Sequence, residues 1–372
     1  MEKGKRKYLL NIFLLLALVV GIFYFMVKDH INEVTDILST MGTREFVALF
    51  VVLFSNILVS GLIMTTLARK FDKNYSIMDG AKAHLISNMF TSITPMGIAC
   101  YPSLMYVYRK QKMNTEESIS MIAIEAMVRQ IFVSIACLLI TMYFISNPLI
   151  ATIGSNKFSV STLCIILCSF NVILSIAVVS MCLSKRIHRF LSKIVYFFIR
   201  LFYRKEKEET MLLKFEEKID EIEDALHVVL NNKVLLFKQL VLNFIRSLIL
   251  YGTPYLIYLL LNKNVRFDMD SFIWWYMAMM SVVFMSRVFP IPGGSIAVET
   301  FSTIILTSVL FTEAAMLSSI IILWRFFSHY GVVALGALAM LSPIKRENRS
   351  VSMNMIVDHS RKIVETTRKI EE

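Results

Sequence analysis

Ionisable residues set inside apolar runs are where this chain could do chemistry. Glu125 and Arg129 stand four apart in one run, Arg246 lies near the middle of another, and Arg325 and His329 stand four apart in a third. Arg287 and Glu299 bracket a break, Pro290-Ile291-Pro292-Gly293-Gly294. A charge facing hydrocarbon costs about 3 kcal/mol or more, so each of these should face another or a wet cavity. Helical spacing puts Glu125 and Arg129 on one face, where they can form a stapling ion pair. Four arginines then face two glutamates, and the surplus positive charge asks for an anion. A lipid phosphate is the anion at hand at that depth, and the planar fork of arginine suits it. The expected lipid-binding set is therefore Glu125, Arg129, Arg246, Arg287, Glu299 and Arg325. No nucleophile has an arranged base, so no catalytic residue is assigned. The five cysteines (Cys100, Cys137, Cys164, Cys168 and Cys182) lie in or beside apolar spans without metal-ligand spacing, and neither a metal nor a cofactor is expected. His84 and His329 read as packed or hydrogen-bonded rather than as ligands.

The elements that must position these residues belong to a membrane. Of 372 residues, 56% are hydrophobic, and the mean hydropathy is +0.63. Several apolar runs approach twenty residues, the length that crosses a bilayer as a helix. The net charge of +11 sits in short segments beside those runs, as the positive-inside rule expects, and does not form a nucleic-acid footprint.

Lys3, Lys5, Arg6 and Lys7 precede an apolar run at 8–27, which reads as a first transmembrane helix rather than a cleaved signal. Loop charges then place 28–45 outside, 46–67 returning inward, and Arg69, Lys70, Lys73 and Lys82 in a cytoplasmic loop. The run 84–108 cannot be one span, because that would put the basic segment 185–207 outside. Pro95, Gly97 and Pro102 split it into halves of about ten residues, too short to cross a core of about 30 Å, which predicts a re-entrant hairpin. Spans at 118–145 and 159–183 follow. The segment 185–233 reads as a cytoplasmic linker with a surface-seeking part and an amphipathic helix. A span at 234–261, a short outer loop at 262–270, and a last span at 314–341 complete the membrane domain, 1–342. The remainder, 343–372, is a charged cytoplasmic tail, so both termini are expected in the cytoplasm of a multi-pass protein of the cell membrane.

Pro290, Pro292, Gly293 and Gly294 break a second apolar pair, 274–289 and 296–310, because proline removes backbone donors and glycine permits the turn. Irregular backbone at membrane depth is tolerated where it is buried in protein or lines a polar cavity. Thr94-Pro95-Met96-Gly97 is followed 34 residues after its proline by Arg129, and Ile291-Pro292-Gly293-Gly294 by Arg325 after 33. Glu117 and Glu313 each lie twelve residues before those arginines. The fold expected is an all-α polytopic helical bundle with two re-entrant broken hairpins in inverted repeats.

Pro290-Ile-Pro292-Gly293-Gly294 with Glu299, the later Leu323-Trp324-Arg325, and the weaker Thr94-Pro95-x-Gly97 with Arg109 and Arg129 resemble the transmembrane region of the lysylphosphatidylglycerol synthase/flippase family. This is the membrane half of the bacterial multiple peptide resistance factor, and stand-alone forms also exist. The resemblance covers about residues 5–342 and departs from the family where Met96, Ile98 and Ala99 replace glycine. It implies movement of an anionic or aminoacylated phospholipid, or a polyprenyl-linked lipid, between leaflets, with a link to antibiotic resistance. In long members a soluble aminoacyl-transferase domain follows; here the chain ends soon after its last span, and that domain is expected to be absent. Two classes of function stay open beside translocation: a phosphatidylglycerol lysyltransferase, as the family name suggests, and a scaffold for a separate synthase. The partner expected is a membrane lipid, with a separate synthase and an oligomer compatible with the sequence and nucleic acid excluded.

Overall fold

The computed structural model describes residues 41–94, 97–146, 150–153, 156–183, 230–262, 264–286 and 314–342, together with residues 35, 39, 298, 302 and 306. The expected first span at 8–27, most of the linker, the tail, Pro95, Arg287, Glu299 and the Pro290 to Gly294 break lie outside these residues. The described helices are α1 (Thr43–Ala68), α2 (Ile77–Ile93), α3 (Cys100–Lys110), α4 (Thr115–Ser146), α5 (Val160–Leu183), α6 (Lys233–Leu261), α7 (Met269–Ser286), α8 (Ala314–Arg325) and α9 (Gly331–Leu341). A π-helical turn, Phe326–Tyr330, joins α8 to α9. Among the described residues, four stretches are long and apolar enough to cross a membrane: Thr43–Ala68, Thr115–Ser146, Lys233–Leu261 and Met316–Leu341. The protein is an all-α, multi-pass membrane bundle, as its sequence predicts. One accessory feature was not foreseen: strands β1 (Ile150–Ile153) and β2 (Asn156–Ser159) pair antiparallel between α4 and α5.

The helix α2 begins seven residues before the apolar run that marks it. Ser76 and Asp79 form a reciprocal capping box, which satisfies two of the amide donors that a helix start leaves open. Lys82 therefore lies in α2 and not in the loop that its charge suggested. The helix is wedged between α1 and α9 by close backbone approach. A Cβ on Gly80 would collide with the Gly61 carbonyl and the Thr65 hydroxyl, and one on Gly336 with the Leu85 carbonyl.

Helices α2 and α3 fold back on each other. Tyr75, just before α2, donates its hydroxyl to Gln111 Oε1 at 2.6 Å, just after α3, and Gln111 Nε2 donates to the Asp79 carbonyl at 2.9 Å. The chain thus enters and leaves this hairpin at one end of the bundle, beside Arg69, whose Nε donates to the Tyr75 carbonyl at 2.9 Å. Neither α2, at 17 residues, nor α3, at 11, needs to cross to the opposite end.

Helix α6 carries Pro254 in its interior. Proline has no N–H to offer the carbonyl of Leu250 four residues earlier. The indole Nε1 of Trp324 on α8 donates to that carbonyl at 2.8 Å, so the defect in one helix becomes the dock for another.

The buried apolar residues form two large clusters stacked along the bundle axis. One gathers Met64 to Tyr75 from the α1 end with Ala83, Ile86, Leu104, Val107 and Tyr108 of the hairpin, Met121 to Val128 of α4, and Leu235 of α6. The other gathers Leu49 to Ile57 of α1, Val133 to Phe144 of α4, Tyr251 to Ile257 of α6, and residues of α7 and α8. The first hairpin is the core of one half of the bundle, and α7 with α8 is the core of the other.

Candidate functional site

The site begins at the break between α2 and α3. Thr94 ends α2 in extended backbone, with φ −108° and ψ 143°, and its hydroxyl donates to the Phe90 carbonyl at 2.8 Å. Gly97 follows with φ +67°, a left-handed conformation that favours glycine, and its N–H reaches the Thr94 carbonyl at 3.1 Å. The Ala99 N–H is taken by the Thr94 hydroxyl at 3.3 Å. Helix α3 then starts at Cys100, and Pro102 falls in its first turn, where a missing N–H costs no helical bond. Pro102 is therefore a helix-start proline rather than part of the break itself. The first turn of α3 presents the positive end of a helix dipole at this depth.

Arg129 of α4 faces that turn. Its Nη2 donates to the Tyr101 hydroxyl at 2.5 Å, and its guanidinium carbon stands 5.8 Å from the centre of the Tyr101 ring. On the other side its Nε is 3.6 Å from Glu125 Oε1, which confirms the i, i+4 pair read from the sequence. The pair is asymmetric: the Glu125 side chain is 7% exposed and that of Arg129 is 31% exposed. Glu125 Oε2 is buried with no hydrogen-bond partner among the described residues. Arg246 of α6, half-buried, acts electrostatically on His84 of α2 and on Cys100, and Cys100 also feels Arg129 and Glu125. Glu125, Arg129, Arg246 and the hairpin break thus share one locale.

That locale is the seam between the two apolar clusters. Along α4, Val128 belongs to one cluster and Val133 to the other, with Arg129 between. Along α6, Leu235 and Tyr251 flank Arg246 in the same way. At 1.5 Å per residue, Arg129 stands about 21 Å from the start of α4 and Arg246 about 20 Å from the start of α6, near the middle of each. Ser60 and Asn56 of α1 and His84 of α2 are buried with polar atoms that have no hydrogen-bond partner among the described residues. Of these, Ser60 stands between the clusters, with Ile57 on one side and Met64 on the other, and a buried unmet polar group is where water or a polar ligand belongs.

Arg325 is placed differently. It is 4% exposed, its guanidinium stands 5.6 Å from the Tyr330 ring, and it acts electrostatically on His329 within the π-helical turn. Its neighbours Trp324 and Phe327 both belong to the second cluster, so it lies off the seam. His84 is buried and His329 part-buried, and the Nε2 of each has no hydrogen-bond partner among the described residues. Glu117, one of the paired glutamates in the proposed repeat, accepts the Asn114 N–H at 2.8 Å and caps the start of α4. Pro95, Arg287, Glu299, Pro290, Pro292, Gly293 and Gly294 lie outside the described residues, as does Glu313.

Sequence reasoning missed Tyr101, Gln111 and the role of Trp324. Only Tyr101 carried a signal, since a tyrosine four residues after a helix-breaking glycine in an apolar run is a polar group at membrane depth.

A family model described as lysylphosphatidylglycerol synthase TM region matches residues 12–336. No curated protein and no solved structure matches the chain.

Proposed function

The chain belongs to the lysylphosphatidylglycerol synthase TM-region family, and from that premise we propose that it translocates a phosphate-bearing lipid between leaflets. The observation that carries this reading is the polar seam: Arg129 holds Tyr101 in the first turn of a broken helix at mid-bundle, Arg246 adds its charge from α6, and the Ser60 hydroxyl is buried with no hydrogen-bond partner among the described residues. A lipid phosphate there would take charge-assisted hydrogen bonds from arginine forks and amide donors from the first turn of α3, while its acyl chains stay in the bilayer. On the second broken pair Arg287 and Glu299, with Pro290, Pro292, Gly293 and Gly294, are assigned the corresponding role, while Arg325, packed against Tyr330, braces that side of the bundle. Pro95 and Gly97 shape the break on the first pair. The protein sits in the cell membrane with the basic end, which carries Arg69, Arg109 and Lys110, in the cytoplasm.

The family description favours a second reading, lysyl transfer to phosphatidylglycerol, and one experiment separates the two. The purified protein is reconstituted into liposomes holding fluorescent phosphatidylglycerol, its lysyl derivative or a polyprenyl phosphate, and leaflet exchange is followed by quenching from outside. Translocation predicts exchange of at least one probe by the wild type, slowed about tenfold or more by Arg129→Gln or Arg246→Gln, the loss of one charge-assisted contact. Exchange that is absent for every probe, with lysyl transfer on addition of lysyl-tRNA, would establish the transferase instead. A scaffold would show neither activity.

A further inference from the structure

The exposed side chains of α3 differ from those of its neighbours. Along α1 the exposed large residues are Phe46, Val47, Phe50, Val51, Phe54 and Leu58, an apolar surface suited to acyl chains. On α3 the buried side chains are Ser103, Leu104, Val107 and Tyr108, and the opposite half of the helix presents Tyr101, Pro102, Met105, Tyr106, Arg109 and Lys110. Two tyrosines and two cations on one open face do not suit hydrocarbon. The face is also graded. At the basic end, Lys110 Nζ stands 5.6 Å from the centre of the Tyr106 ring, and Arg109 is exposed beside it. At the deep end, Tyr101 holds Arg129 by its hydroxyl and its ring. Tyrosine and cation are thus paired at both ends, with about 12 to 14 Å of helix between them.

We propose that this face of α3 is the track along which the phosphate headgroup of an inner-leaflet lipid passes between Arg109 and Lys110 at the membrane surface and Arg129 at the seam. Tyr106 and Tyr101 are its rungs: each holds a cation loosely enough to yield it to a phosphate, and each offers a hydroxyl in place of water. Charge complementarity selects the occupant, because two cations at the mouth and one at the depth call for an anionic headgroup, and the position of the mouth at the membrane surface commits that headgroup to a lipid already in the leaflet. The inference rests on the translocation reading and extends it from a binding seam to a route.

Two measurements test it on the full chain in proteoliposomes. In the first, the lipid fraction giving half-maximal exchange is compared for wild type, Tyr106→Leu and the double variant Arg109→Gln with Lys110→Gln. The mouth variants should need about tenfold more anionic lipid with little change in maximal rate, as expected when a charged capture site is lost upstream of the slow step. In the second, Met105→Cys on the track and Phe54→Cys on the lipid face of α1 are treated with a charged, water-soluble thiol reagent, with the native cysteines of the parent setting the background. The track cysteine should react and the α1 cysteine should stay at background. Unchanged half-saturation in both mouth variants, or a Met105→Cys as silent as Phe54→Cys, overturns the track. A wild type that exchanges no lipid overturns translocation itself, and the labelling contrast then still decides whether the face is wet.

Discussion

Removing Arg129 should destabilise the protein more than removing Arg129 and the Glu125 charge together. The Glu125 carboxylate is 7% exposed, and of its two oxygens only Oε1 faces the guanidinium, at 3.6 Å. Two unit charges at that separation attract by roughly 4 to 5 kcal/mol at an effective dielectric of about 20. Because the Arg129 side chain is 31% exposed, its charge is not fully enclosed, and the net coupling falls to about 1 to 2 kcal/mol. In Arg129→Ala the carboxylate stays buried without its cation, which costs about 3 kcal/mol, the lower end for a broken buried pair. Glu125→Gln leaves Arg129 held by Tyr101 and in contact with solvent, and should cost about 1 kcal/mol. The double variant should then cost about 2 kcal/mol, less than Arg129→Ala alone. The assay is equilibrium unfolding of the purified protein in mixed micelles, read by the fluorescence of Trp274, Trp275 and Trp324. Strict additivity of the two single changes, with the double variant the least stable of the three, would refute the contact.

Other outcomes follow from single features of the fold. Trp324→Phe should cost about 1 to 3 kcal/mol, because it leaves the Leu250 carbonyl unsatisfied; in a Pro254→Ala background the restored helical N–H should remove most of that cost, and equal losses in both backgrounds would discredit the docking role. Gly97→Ala places a Cβ 2.7 Å from Thr91 Cγ2 at φ +67°, so it should cost about 1 to 2 kcal/mol and slow lipid exchange, as unfolding and liposome assays would report. Asp268 accepts the Ser271 N–H at 2.8 Å, and this hydrogen bond holds its carboxyl below the ordinary carboxylate range. Its stabilisation of the α7 start is therefore full above the unfolded value of about 4 and fades as pH falls through the lower folded value; amide exchange at Ser271 should speed up only at the acid end, and Asp268→Asn should abolish that pH dependence.

The spans were legible because twenty apolar residues have few alternatives in a chain this hydrophobic. The runs 46–67, 118–145 and 234–261 sit inside Thr43–Ala68, Thr115–Ser146 and Lys233–Leu261, and the fourth crossing stretch, Met316–Leu341, sits inside the run 314–341. Loop charge forced the chain to turn back near Gly97, and Tyr75, Gln111 and Asp79 show the two ends meeting. Where that reading erred, a local hydrogen bond outweighed composition: the Ser76 and Asp79 box drew α2 out to Ile77, past a lysine that reads as loop. The partners of Arg129 were half legible. Spacing alone yields Glu125, but no spacing yields Tyr101, which lies 28 residues away on a different helix. Trp324 could not be found from its own surroundings either, since its partner is a carbonyl freed by a proline 70 residues earlier.

The same contacts change how the surplus of positive charge should be understood. Counted along the sequence, the arginines are equivalent and the glutamates too few. Placed in the bundle, Arg325 is packed into an apolar cluster with Tyr330 and His329, whereas Arg129 and Arg246 stand where one cluster gives way to the next. A charge enclosed by close-packed aromatic side chains cannot change partners without opening the core. The first hairpin ends at this seam, and its turn depends on Gly97 rather than on buried bulk, so the broken helix and the two arginines share one depth. Each half of the bundle is held by its own core, and Arg129 and Arg246 stand in the layer between them.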